Sequence, residues 1–375
     1  MTVSLNHLGD LARKRVAVAA YYFVPGVVFA SWASRIPDVK QMLYLSNGQL
    51  GTVLFAIPIG QLLMMAFSGV LVSKFGSRKM ILLAEVLYAF VLFCMGSSST
   101  VFQLILSLVA FGMMANLMNI ATNTQACLVE KMYGRNIMSS FHGLWSLGGF
   151  SGGIIGAVLV MSLLIIAIGF RYLVDDATAK AEEEDVPKFS FKTIDPILFL
   201  LGLMGFAGMF CEGTVYDWSG VYFSSVVKPD EAFIRAGYVA GMGAMTLGRF
   251  MADGFVTKYG PARVLKVCGA LILGGLWLAA ALPYLIPATL GFLLVGFGIS
   301  SSVPICYSIA GKLGTIKASI AITIVSSISF FGFLVGPPVI GWLAEATGLR
   351  TAISIAACLG LMIAFVAAKV GKRIS

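Results

Sequence analysis

Long apolar stretches follow one another along the whole chain, each closed by a short group of polar or basic residues. Most reach the about 18 residues that carry a helix across about 30 Å of hydrocarbon, and they run unbroken rather than alternating as barrel strands do. Lipid offers no water to the backbone, so every N–H and C=O must be bonded inside the segment, which such runs achieve as helices. The pattern predicts an all-α, polytopic membrane protein. Twelve crossings are expected, near residues 16–34, 49–72, 80–97, 101–128, 138–160, 161–172, 196–222, 233–257, 264–284, 287–311, 318–343 and 350–369.

Composition agrees. The 375 residues are 59% hydrophobic and 11% charged, against about 25% charged in a soluble domain. The formal charge of +9 raises the question of a nucleic-acid partner, but the positions of the bases answer it. Twenty of the 26 Lys and Arg residues fall on one side of the expected topology, five (Arg35, Lys40, Lys228, Arg235, Arg350) fall on the other, and Arg249 lies within a span. That bias places both termini in the cytoplasm, and the protein is expected in the cell inner (plasma) membrane without a nucleic-acid partner. Arg13-Lys14-Arg15 ahead of an apolar run imitates a signal peptide, yet the run continues to about Ala33 and reads as the first span. The six cysteines (Cys94, Cys127, Cys211, Cys268, Cys306, Cys358) sit in apolar runs without metal-ligand spacing and read as packing residues. No metal or cofactor is expected.

One stretch is too short. Met138 to Tyr172 holds 35 residues, too few for two crossings and a turn at about 1.5 Å per residue. Removing a crossing would reverse the charge bias of the whole second half. Spans five and six are therefore expected to be shortened, with an outer turn missing near Val160–Met161.

Residues 174–195 form the long polar stretch and suit a cytoplasmic linker, dividing the chain into a six-helix bundle over 1–173 and another over 196–375. The halves echo each other. Ser73-Lys74-Phe75-Gly76-Ser77-Arg78-Lys79 stands between spans two and three, and Thr257-Lys258-Tyr259-Gly260-Pro261-Ala262-Arg263 stands 184 residues later between spans eight and nine. A repeat of this kind points to alternating access, with a solute site near the midplane between the halves.

The run from Gly69 through Leu71, Ser73, Lys74 and Gly76 to Arg78 and Lys79 resembles the loop signature of the major facilitator superfamily. Ala30-Ser31-Trp32-Ala33-Ser34-Arg35, His142-Gly143 with Trp145-Ser146-Leu147-Gly148, Glu212-Gly213 with Tyr216-Asp217-Trp218, and Phe333 to Pro338 resemble its bacterial YbjJ-like branch. That branch is distantly similar to fucose–proton symporters. The resemblance implies the major facilitator fold and a secondary transporter. There are departures: Ser73 replaces the signature's acid, span four lacks the superfamily's arginine, and Asn119 stands where relatives carry a glutamate.

Polar residues inside spans are costly in lipid and mark cavities or partners. In span four Asn116, Asn119 and Asn123 share a helix face, and Asn119 and Asn123 suit a hydroxylated solute. In span five Trp145 offers a ring to stack on a sugar, and His142 offers a titratable group. Gly148, Gly152 and Gly156 beside them read as close helix packing. Span seven carries Glu212 deep in the membrane by count, followed by Tyr216, Asp217 and Trp218. Burial favours a carboxyl's neutral form, which makes Glu212 the candidate proton carrier. Trp32 and Arg35 at the end of span one are expected to face the same cavity, while Arg35 and Asp38 also suit a local pair. For gating, Gly69, Lys74, Gly76, Arg78 and Lys79 are expected to form the turn that locks one state. Arg249 with Asp253, at i and i+4, suits an inner gate or structural bridge. Glu85 reads as structural.

These features predict a proton-coupled symporter for a small polar, sugar-like solute, working as a monomer among membrane lipids. A drug or metabolite exporter of the same fold is the nearest alternative, and a membrane sensor or channel is an alternative of another class. Catalytic carboxylate pairs, phosphate loops and nucleophile elbows are absent from the sequence, so an enzyme is not expected.

Overall fold

The computed structural model describes residues 5–133, 137–155, 172–174, 196–313 and 318–374. Nearly all of them are helical. In order the helices are α1 (Leu5–Ala33), α2 (Ile36–Met42), α3 (Asn47–Leu54), α4 (Ala56–Phe75), α5 (Ser77–Gly96), α6 (Val101–Tyr133), α7 (Met138–Ile155), α8 (Pro196–Gly213), α9 (Ser219–Tyr222), α10 (Ala236–Tyr259), α11 (Pro261–Ala281), α12 (Leu285–Lys312), α13 (Ala318–Thr347) and α14 (Leu349–Ile374). Among the described residues nine helical segments are long and apolar enough to cross a membrane. The expected sixth crossing, the turn near Val160–Met161 and the linker beyond Val174 lie outside the described residues.

Several ends differ from the apolar runs. α1 starts at Leu5 rather than near residue 16, and its polar first turns are tied by Lys14 to Asp10 at 2.8 Å, an i,i+4 ion pair. The second expected crossing breaks at Phe55 into α3 and α4. α3 opens with a capping box: the Ser46 hydroxyl accepts from the Gln49 amide N–H, and the Gln49 side chain accepts from the Ser46 N–H.

The described helices fall into two compact units, one of residues 1–32 and 56–184 and one of residues 33–55 and 185–375. In the first, α6 packs along α4 and α5. The α4–α6 crossing depends on glycine, because a Cβ at Gly60 or Gly112 would stand 2.0 Å from the carbonyl oxygen of Val109 or Ile57. α1 and α7 meet the same way through Gly26, Gly148 and Gly152, the close packing expected of these two span-five glycines, while Gly156 lies outside the described residues. Gln125 of α6 is fully buried and donates to the Ser77 hydroxyl (2.9 Å) and the Val174 carbonyl (2.6 Å). It thereby satisfies groups that lipid would leave bare.

In the second unit α11 packs on α12 and α14, and α13 packs on α8 and α3. Arg350 at the start of α14 donates to the carbonyls of Ala280 and Ala281, capping the end of α11. Residues 33–55 belong here because α3 lies on α13, where Gly51 approaches Pro337 and Gly341. The Gly48 N–H also donates to the Glu345 carboxylate at 3.1 Å. Asp38, paired with Arg35 in the sequence reading, instead meets Arg235 at 3.9 Å, and Arg235 Nε donates to the Ser34 carbonyl. Arg35 is the residue before α2 and makes no side-chain capping bond there.

The sequence repeat is also a repeat of conformation. Gly76 stands between α4 and α5 at φ 83°, ψ 143°, and Gly260 stands between α10 and α11 at φ 80°, ψ 153°. This region is open essentially to glycine alone. Each loop also sets its lysine over the adjacent ring, Lys74 on Phe75 at 5.4 Å and Lys258 on Tyr259 at 5.2 Å. Gly69, expected in the first of these turns, lies inside α4 with open space around it. The apolar run continues through Val70–Val72, which keeps the helix going to Phe75.

A Cβ on Gly260 would meet nothing within 4 Å, so the cost of Gly260→Ala is backbone strain alone. It is expected to lower unfolding stability by about 1–3 kcal/mol. Gly274→Ala, with the same open surroundings but inside α11, is expected to leave stability unchanged or raise it. Thermal unfolding of the two variants in one detergent checks both.

Candidate functional site

Each unit holds a bonded group of polar side chains on its spans. In the first unit the Tyr22 hydroxyl of α1 donates to Asn123 Oδ1 at 2.5 Å, and the Asn123 amide donates to Asn119 Oδ1 at 2.7 Å. The Tyr22 ring stacks on Phe141 (centroids 5.5 Å apart) and meets His142 edge-on at 5.2 Å. One turn further along α7, Trp145 lies 6.0 Å from Phe29. Asn119 and His142 are exposed, and Asn123 and Trp145 half-buried. The chain amide–amide–phenol thus presents both donors and acceptors, with aromatic rings beside it. Asn116 separates from its neighbours by turning to α4, where its Oδ1 accepts from the Ser68 hydroxyl at 2.6 Å. It serves as an interhelical bond there.

In the second unit Glu212 ends the regular part of α8. The Tyr216 hydroxyl donates to Glu212 Oε1 at 2.5 Å, and Arg249 Nη2 of α10 reaches the same oxygen at 3.3 Å. Glu212 and Arg249 keep only 11% and 20% of their side-chain surface, so the charges sit where water compensates little. The Tyr216 ring also meets Phe333 edge-on at 6.4 Å. Glycines make this possible: Gly205 and Gly208 of α8 touch Ser329 and Ser302, bringing α13 and α12 close. Beyond Gly213 the chain loosens into the π turn Thr214–Trp218, which carries Tyr216, Asp217 and Trp218. Such turns recur at functional sites because they re-aim side chains.

The π-turn residues are buried and under-bonded. Asp217 is buried and makes no hydrogen bond or ion pair among the described residues. Trp218 Nε1 and the Tyr238 hydroxyl, both fully buried, likewise find no partner there. Trp32 of α1 is buried with its Nε1 unbonded among the described residues. A buried polar atom without a partner is costly and calls for an explanation. Tyr22 and Tyr238 were not visible as site residues in the sequence, where tyrosines in apolar runs look like core. Their only signal is a hydroxyl at membrane depth.

For the gating set, Arg249 finds Glu212 of α8, whereas its expected partner Asp253 is described for backbone alone. Ser73, at the position of the signature's acid, spends its hydroxyl on the Val70 carbonyl of its own helix. Arg78 is half-buried and engaged, and Gly76 makes the turn. Glu85 of α5 is fully buried with both carboxyl oxygens unbonded among the described residues.

Comparison with known proteins matches this architecture. The family model of the Major Facilitator Superfamily matches residues 18–319. An uncharacterized MFS-type transporter of Yersinia pestis is 32% identical over 370 residues, covering 94% of each chain. The membrane protein MosC of Rhizobium meliloti is 30% identical, covering 93% of this chain and 88% of its own length. Among solved structures, the nucleoside transporter NupG superposes with a TM-score of 0.71 at 14% identity, over 96% of this chain and 99% of its own. A bacterial homologue of the human lysosomal transporter Spinster gives 0.71 at 12% identity, over 97% and 98%. The paired loops, the membrane-long helices and the match across most of the sequence have one meaning: this chain is a multi-pass membrane transporter belonging to the major facilitator superfamily.

Proposed function

We propose that this transporter carries a small polar, hydroxylated solute by alternating access, coupled to protons through Glu212. It works as a monomer, with both termini on the cytoplasmic side of an inner membrane. The solved structures that resemble it share its fold alone, so the solute class is argued from its own side chains. Asn119, Asn123, Tyr22 and Trp145 supply donors, acceptors and rings, the combination that recognises hydroxyls on a carbon frame. Asp217, Trp218 and Tyr238 supply further unsatisfied polar atoms.

The observation that carries the proton assignment is the sharing of Glu212 Oε1 between a neutral hydroxyl and a guanidinium. With Glu212 charged, Arg249 is held. A proton on the carboxyl removes that attraction while the tyrosine contact survives, so protonation releases α10 from α8 at this point. Proton binding is thereby converted into a change of contact between two spans.

Two measurements test this reading. Monosaccharides, polyols and nucleosides are screened by thermal shift, since a ligand of the folded state raises stability. A stabilising solute is then driven into proteoliposomes holding a pH-sensitive dye. The wild type is expected to carry protons inward with the solute. Glu212→Gln is expected to lose most of that proton movement while still exchanging solute across the membrane. Proton movement at the wild-type level in Glu212→Gln overturns the assignment, and lowered drug susceptibility of expressing cells without solute-driven proton flow favours an exporter.

The ion pair has its own signature in stability. Arg249→Met leaves Glu212 buried without its cation and is expected to cost on the order of 3 kcal/mol. The double variant Glu212→Gln with Arg249→Met is expected to cost less than the sum of the singles, as a double-mutant cycle in thermal or denaturant unfolding would show.

A further inference from the structure

A groove separate from both polar groups lies on the second unit. α10 and α11 are joined by the tight turn at Gly260 but pack little on each other, because each leans on α12 instead. Between them opens a space of about 580 Å³, walled by Met251 and Phe255 of α10 and Val267 and Leu271 of α11, and floored by Phe297 of α12. Its walls are almost wholly apolar, yet Met251, Phe255 and Val267 keep about half of their surface uncovered. Ser300 and Ser301 also line it but are buried and bonded to each other, so a hydrocarbon chain fits these walls better than a polar solute.

At the loop end of the groove stands Arg263, which lines it and is exposed. Arg263 makes no ion pair or hydrogen bond among the described residues. Lys258, set over Tyr259, and the exposed Lys266 flank it. The mirrored loop of the first unit differs: Arg78 is half-buried and already engaged. A guanidinium without an ion-pair partner among the described residues, at the mouth of an apolar groove and beside two further bases, matches a phosphate diester above an acyl chain.

We propose that the groove between α10 and α11 is a binding site for an anionic phospholipid, its phosphate on Arg263 and one acyl chain along Phe255, Val267 and Phe297. Occupation covers the apolar walls and neutralises the basic cluster of the Gly260 loop. The site is independent of the solute and proton reading above.

Intact-protein mass spectrometry from a neutral detergent tests it, with equal amounts of phosphatidylglycerol and phosphatidylcholine added to the full chain. The wild type is expected to retain phosphatidylglycerol in preference. Arg263→Gln is expected to weaken that preference roughly fivefold, the scale of one base near a headgroup. Val267→Trp, at an exposed position, fills the groove mouth and is expected to lower retention of phosphatidylglycerol comparably. Lys228→Gln removes a charge far along the sequence from the groove and is expected to retain lipid as the wild type does. Thermal unfolding of each variant confirms that it is folded. Equal retention of the two lipids by the wild type overturns the proposal. So does a loss in Lys228→Gln as large as in Arg263→Gln, or wild-type retention by Val267→Trp.

Discussion

Hydrocarbon cannot hydrogen-bond, and most of this protein's structure answers that one constraint. Backbone groups close on themselves as helices, and groups left over are taken up by specific side chains: Gln125 for Val174, Arg350 for Ala280 and Ala281 at the end of α11, Ser46 and Gln49 for each other at the start of α3. Water gives no hydrophobic drive between helices inside a membrane, so close contact must be gained by shape. The glycine crossings of α4 with α6 and of α1 with α7 supply it. Against such a background each polar side chain at depth stands out, because it must either be bonded or be waiting for something.

The two polar groups illustrate both conditions. Asn116 is bonded to Ser68 and belongs to the packing. Asn123, Asn119 and Tyr22 form a bonded chain with an exposed end, Asn119, a geometry suited to continuing onto a ligand. Glu212 is satisfied twice at one oxygen, by a hydroxyl and by a cation on another span. The π turn that follows leaves Asp217 and Trp218 buried and unbonded among the described residues. The mirrored loops show the same economy: one backbone conformation, used at Gly76 and Gly260, serves a half-buried Arg78 in one unit and an exposed Arg263 in the other.

The sequence by itself determined the fold class, because an apolar run has only one way to satisfy its backbone in lipid, and it determined the repeated loops, because glycine at a φ near 80° has no substitute. It also marked Glu212 and the asparagines, since a polar residue at depth is visible by counting. Tertiary structure decided the partners. The Arg249 guanidinium reaches Glu212 of α8, 37 residues away in the chain, and Asp38 passes over Arg35 for Arg235. It also decided that Tyr22 bonds Asn123, that the Tyr238 hydroxyl is buried without a partner among the described residues, that residues 33–55 pack with the second unit, and that α8 loosens into a π turn. The reason is physical: spacing along a chain fixes which face a side chain takes, whereas which helix crosses that face depends on small residues far away in sequence, such as Gly51 with Gly341 or Gly205 with Ser329.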